Sequence, residues 1–184
     1  MIERRDGITY FLGHPMHAMM TDLPVALVAV AVLWDIAAIA DSDGVWADIA
    51  FWTLAAGLGF GLLIAAGGLL DFFGLVERDS PAKNSAIWHM TAMVVVLALV
   101  GASLAVRYTA ADPIAGADRI LAYALSWAGA AALAVGAWLG GELVYRHGIG
   151  QKFHGHENDA RSTTMSPVDD ETWREEQMTA GRRR

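Results

Sequence analysis

Gly13-His14-Pro15-Met16-His17 places two histidines three residues apart, and a further histidine, His89, lies far along the chain in a comparable apolar setting. On a helix, positions i and i+3 share a face, so His14 and His17 can point the same way if the turn is regular. Neutral imidazole is a good ligand for zinc, iron or copper, and a carboxylate such as Asp71 can ligate the metal or orient a histidine. His14, His17, His89 and Asp71 therefore form the candidate site, for a transition-metal ion or a haem b iron. His17 and His89 are the first-choice haem ligands. His14 is the alternate, because neighbours at i and i+3 cannot reach opposite faces of one haem. A plainer reading puts all of them at a hydrated interface, with His14 capping a helix and His17 and His89 bonded to Asp71 or Asp22.

The elements that must carry these residues are membrane helices. The chain has 184 residues, 55% of them hydrophobic and only 18% charged, with a mean hydropathy of +0.37. The charged residues are largely excluded from four long runs, Leu23–Ala40, Ile49–Leu70, Ala86–Val106 and Ile120–Gly141. A helix needs roughly 20 apolar residues to cross the hydrocarbon. These runs are rich in Ala, Leu and Gly without period-2 alternation, which implies helices rather than barrel strands. A soluble bundle is disfavoured, since its helices would show a polar face. The expected fold is an all-α, integral membrane, up-down four-helix bundle.

The same reading divides the chain into a lead-in over residues 1–14, a four-span domain over 15–150 and a polar, disordered tail over 151–184. Arg4 and Arg5 before an apolar run ending in Ala38-Ile39-Ala40 resemble a signal peptide. The late start of that run, its Trp34 and Asp35, and the three runs that follow argue for a retained span. Arg4, Arg5, Arg78, Lys83 and Arg146 fall on one side of the bundle, whereas Asp41, Asp43, Asp48, Asp112 and Asp118 fall on the other with Arg107 and Arg119. The positive-inside rule then makes both termini cytoplasmic, in a bacterial inner membrane, and sets the histidine edge there too. The net charge of −7 belongs to loops and tails.

Local signals add detail. Pro15 suits the first turn of a helix, and Pro24 is expected to kink helix 1 because it cannot donate to the Met20 carbonyl. Glycines Gly57, Gly59 and Gly61 let helices approach closely in lipid and do not form a nucleotide loop. Trp46, Trp88 and Tyr108 read as interfacial anchors. Asp35, near the outer end of helix 1, is expected to snorkel, with a proton or ion role as the other possibility. His147, His154 and His156 are expected to be solvated. No cysteine is present, so disulfides and thiolate metal sites are excluded. A faint repeat also emerges. His17 and His89 are 72 residues apart, as are Gly57 and Gly129, while Gly67-Gly68 and Gly140-Gly141 are 73 apart. Such offsets suggest two parallel helical hairpins related by a pseudo-two-fold axis along the membrane normal.

Gly-His-Pro-Met-His at 13–17, Thr-Asp-Leu-Pro-Val at 21–25, Gly68-Leu-Leu-Asp71, His89 and Leu139-Gly-Gly-Glu-Leu-Val-Tyr145 together resemble the DUF2231 family of predicted bacterial membrane proteins. Leu23 stands where that family often has Phe. The resemblance covers about residues 11–150 and implies four spans without an established activity. Relatives fused to Rieske-type iron–sulfur modules imply a link to electron transfer, though this chain carries no such module. The expected function is binding of haem b or a metal ion, with electron transfer as its use. The expected partners are the lipid bilayer and a homo-oligomer or redox protein, with no nucleic acid. A small oligomeric ion or proton transporter subunit and a non-catalytic assembly partner are the alternatives.

Overall fold

The computed structural model describes residues 10–11, 14–41, 44–76, 79–110 and 114–149, without side-chain detail at 10, 11, 14 and 15. The lead-in before residue 10 and the tail from 151 onward, with His154 and His156, lie outside the described residues. The described chain is almost wholly helical: α1 (Met16–Met20), α2 (Asp22–Ala40), α3 (Val45–Leu75), α4 (Ala82–Thr109) and α5 (Gly116–Tyr145). A two-residue backbone ladder, Tyr10–Phe11 against His14–Pro15, precedes α1.

Four helices are long and apolar enough to cross a membrane, counting α1 and α2 as one span from Met16 to Ala40. The spans extend beyond the apolar runs because a helix satisfies its own backbone wherever water is scarce. At 1.5 Å per residue the 31-residue α3 is about 46 Å long, so it tilts or reaches into the headgroups. Large side chains such as Leu63 and Trp138 are 72% and 77% exposed, as expected for a surface whose solvent is lipid.

The break between α1 and α2 falls at Thr21, three residues before Pro24. Pro24 has no N–H for the Met20 carbonyl, and the ladder resumes with Val25 N–H on Thr21 O at 3.3 Å. The Thr21 hydroxyl turns back to the Ala18 carbonyl at 2.9 Å. At the C-terminal end of the last span, α5 terminates through Gly148 at φ +66°, with the Ile149 N–H reaching back to the Leu143 carbonyl. Only glycine takes that left-handed position without strain.

Helix α2 packs on α3 and α5, and α4 packs on α3 and α5, which leaves α2 and α4 diagonal. The core joins Val28 and Ala31 of α2, Leu54 of α3, Val96 and Val100 of α4 and Leu133 of α5. The hairpins α2–α3 and α4–α5 share equivalent close approaches. A Cβ on Gly57 would meet Leu27 and Val28 at 3.3 Å, and one on Gly129 would meet Val100 at 3.1 Å and Leu99 at 3.6 Å. Ala50 and Ala122 are both fully buried, as are Ala31 and its mate Ser103. The repeat is therefore built into the packing, at a uniform offset of 72. Gly68 corresponds to Gly140, one residue away from the register that the paired glycines suggest.

Candidate functional site

The two histidines, His17 on α1 and His89 on α4, are held in the same way. His17 Nδ1 lies 3.0 Å from the Ile64 carbonyl oxygen of α3, and His89 Nδ1 lies 2.9 Å from the Gly136 carbonyl oxygen of α5. Both bonds span 47 residues, so each hairpin makes the same link. A carbonyl can only accept, so Nδ1 carries the proton and donates in both rings. That fixes the tautomer and leaves Nε2 with a lone pair.

Glycine makes this approach possible. A Cβ on Gly68 would lie 2.6 Å from His17 Cε1, and one on Gly140 would lie 3.0 Å from His89 Cε1. Each imidazole thus packs against a glycine, one turn beyond the carbonyl it addresses. The rings are positioned by backbone, whereas the plainer sequence reading had Asp71 or Asp22 holding them. Asp22 is exposed and Asp71 is buried on α3.

His17 and His89 line one cavity of about 80 Å³. Below the imidazoles its walls are apolar, formed by Pro24 and Val28 of α2, Leu58 of α3, Val96 and Val100 of α4 and Leu133 of α5. Asp71 is not part of this wall, and the side chain of His14 lies outside the described residues. Among the described residues no three of His, Cys, Asp and Glu gather into a metal-ligating group. Among the described residues the cavity's donor set is a pair of imidazoles. His147 is not simply solvated as expected, since its Nε2 lies 3.3 Å from Ser85 Oγ between α4 and α5.

A polar cluster that the sequence reading missed sits toward the opposite end of the bundle. Asp35 does not snorkel. It is fully buried and receives Arg107 Nη2 at 2.8 and 2.9 Å on its two oxygens. Ser126 Oγ donates to Asp35 at 2.6 Å, Arg107 Nε donates to Ser103 Oγ at 3.2 Å, and Ser103 donates to the Ala122 carbonyl at 2.7 Å. The guanidinium carbon stands 4.9 Å from the centre of the Tyr123 ring. Burying a lone charge in lipid is expensive, so Arg107 turns inward to the one carboxylate that neutralises it. The signal was available in the numbering, because Asp35 and Arg107 are also 72 residues apart.

No curated protein and no solved structure matches the chain. The family model described as a predicted membrane protein, DUF2231, matches residues 13–152, from the glycine before His14 to just past the end of α5. The chain belongs to the DUF2231 family of predicted membrane proteins.

Proposed function

We propose that the protein binds haem b between His17 and His89 and serves in electron transfer. The observation that carries this reading is the matched pair of imidazoles, each committed through Nδ1 to a backbone carbonyl and each on the wall of one apolar cavity. Ligating histidines commonly donate their second ring N–H in this way, which fixes the ring and raises its basicity. Among the described residues two imidazoles fall short of the three or four protein ligands of a zinc site. They suffice for a haem, whose macrocycle supplies four nitrogens of its own. The apolar walls suit the face of a macrocycle. Bound haem would supply one-electron chemistry. The chain's own residues would hold the iron, set the ring planes and exclude water. The reading needs neither His14 nor Asp71.

In this reading the histidine edge faces the cytoplasm of a bacterial cell, where the positive loops lie, and a redox partner protein docks there. A second reading, an oligomeric ion or proton transporter, is favoured by the buried Asp35–Arg107 pair, since ionisable groups at membrane depth often mark ion paths. Haem extraction from the purified protein tests the first reading. One haem per chain supports it, and haem-free protein that takes up none on titration contradicts it. Proton or ion flux through proteoliposomes of haem-free protein would support the second.

A further inference from the structure

The imidazole pair is not all that this cavity offers an ion. Met93 lines it too, and it stands four residues beyond His89 on α4, so thioether and imidazole project from one helix face. Both reach the same residue of α5. His89 Nδ1 lies 2.9 Å from the Gly136 carbonyl oxygen, and Met93 Sδ lies 3.6 Å from the place a Gly136 Cβ would take. On the opposite wall stands His17, close enough to His89 for the two rings to interact electrostatically. The repeat supplies no second sulfur. Thr21 is the counterpart of Met93 at the offset of 72, and its hydroxyl is turned back to the Ala18 carbonyl.

These donors select an ion by softness, charge and number. Nδ1 of each ring is committed to a carbonyl, which leaves two neutral Nε2 lone pairs and one polarisable sulfur. Thioether sulfur favours copper(I), and imidazole suits copper as well. No carboxylate lines the cavity, so a divalent ion would keep both its charges in an apolar setting, whereas a cuprous ion keeps one. Copper(II) prefers a tetragonal set of nitrogen and oxygen donors, which two imidazoles and a thioether do not provide. The rest of the wall is largely aliphatic, with Val28, Val96 and Leu133, and offers little to hold water in a further ligand position. About 80 Å³ is ample for a single ion in contact with three side chains.

We infer that the cavity is a copper(I) site, with His17 Nε2, His89 Nε2 and Met93 Sδ as its three ligands. The entrance agrees with that choice. His17 is the second residue of α1, so the rings lie near the end of the bundle, and α1 itself is Met16-His17-Ala18-Met19-Met20. Met19 and Met20 are exposed, which sets further soft donors at the end where an ion arrives from water. The inference goes beyond the haem reading and does not rest on it. Haem iron would take the same Nε2 atoms, so one chain holds haem or copper(I) and never both.

Anaerobic titration of full-length, haem-free protein in detergent with copper(I), in competition with a chromophoric copper(I) chelator, tests this. X-ray absorption at the copper edge then reads the ligands. Expected is one tightly held copper(I) per chain, with two nitrogen neighbours and one sulfur. Met93→Leu nearly conserves side-chain volume and should lose the sulfur neighbour together with about tenfold in affinity. His17→Asn and His89→Asn, which keep an N–H near the place of Nδ1, should each lose about a hundredfold. Helix content and a monodisperse elution profile confirm each fold, and the wild-type copper edge decides by itself if a variant does not fold. No copper(I) retained by wild type, a copper edge without sulfur, or unchanged affinity in Met93→Leu overturns the inference and leaves the haem reading to its own titration. Zinc held as tightly as copper(I) overturns the choice of ion. Copper-loaded wild type should take up no haem, and full haem uptake beside retained copper(I) overturns the placement. Copper(I) bound as expected by a chain that takes up no haem when copper-free supports the inference and overturns the haem reading.

Discussion

Asp35 and Arg107 occupy the same position in the two repeats, 72 residues apart, and close a buried ion pair at 2.8 Å where the hairpins meet. One hairpin contributes the anion and the other the cation, so the pair breaks the symmetry that the packing otherwise keeps. A buried pair is weak evidence for net stability, because desolvation offsets the attraction. It is stronger as a device that specifies which hairpin meets which.

Removing one partner leaves the other charge buried and alone. Arg107→Leu should destabilise the bundle by about 3–5 kcal/mol, and Asp35→Leu by a similar amount. Replacing both with leucine should recover most of that loss. Reversible unfolding in mixed micelles would measure the three variants, and additive losses in the double variant would count against the pairing.

Ser126 donates to Asp35 and accepts from Arg107 at 3.3 Å, so its hydroxyl bridges the two charges. Ser126→Ala should cost about 1–3 kcal/mol, the penalty for leaving buried polar atoms without a partner. The same unfolding assay would check it, and a neutral result would show that the carboxylate and guanidinium suffice alone.

Gly68 and Gly140 should differ from Gly59 when replaced by alanine. At Gly68 the new methyl would lie 2.6 Å from His17 Cε1, and at Gly140 3.0 Å from His89 Cε1, whereas at Gly59 it would meet nothing within 4 Å. Gly68→Ala should weaken ligand binding most, Gly140→Ala less. Gly59→Ala should stabilise α3 by roughly 0.5–1 kcal/mol through helix propensity. Thermal unfolding followed by circular dichroism separates the propensity gain from the lost ligand contact.

Pro24→Ala should allow one continuous helix from Met16 to Ala40, because an alanine at that position can donate its N–H to the Met20 carbonyl. Straightening would shift His17 away from Ile64 and lower ligand affinity. Spin-label distances between sites near residues 19 and 40 would lengthen if the break closes. Unchanged distances would assign it to packing against α3.

Much of this architecture was legible in the residues. The four runs identify the spans because lipid forces the backbone to satisfy itself in helices, and Pro24 placed the break to within a turn. His17 and His89 stood out because ionisable groups are rare in such runs. What could not be read was direction. Nothing in the local sequence says that Nδ1 of each ring turns to the Ile64 or Gly136 carbonyl, since every helix offers many carbonyls. Asp35 looked like a snorkelling residue because its partner lies on another hairpin, and the link shows only once the repeat is taken at an offset of 72.

Haem ligation by His17 and His89 is tested best by the absorption spectrum of detergent-purified protein, as isolated and after haem titration. The paired imidazoles should give a Soret band with the spectrum of a six-coordinate bis-imidazole haem, lost or strongly reduced in both His17→Ala and His89→Ala while the fold persists. A wild-type protein with no Soret band after titration, or a band unchanged in both variants, would contradict it.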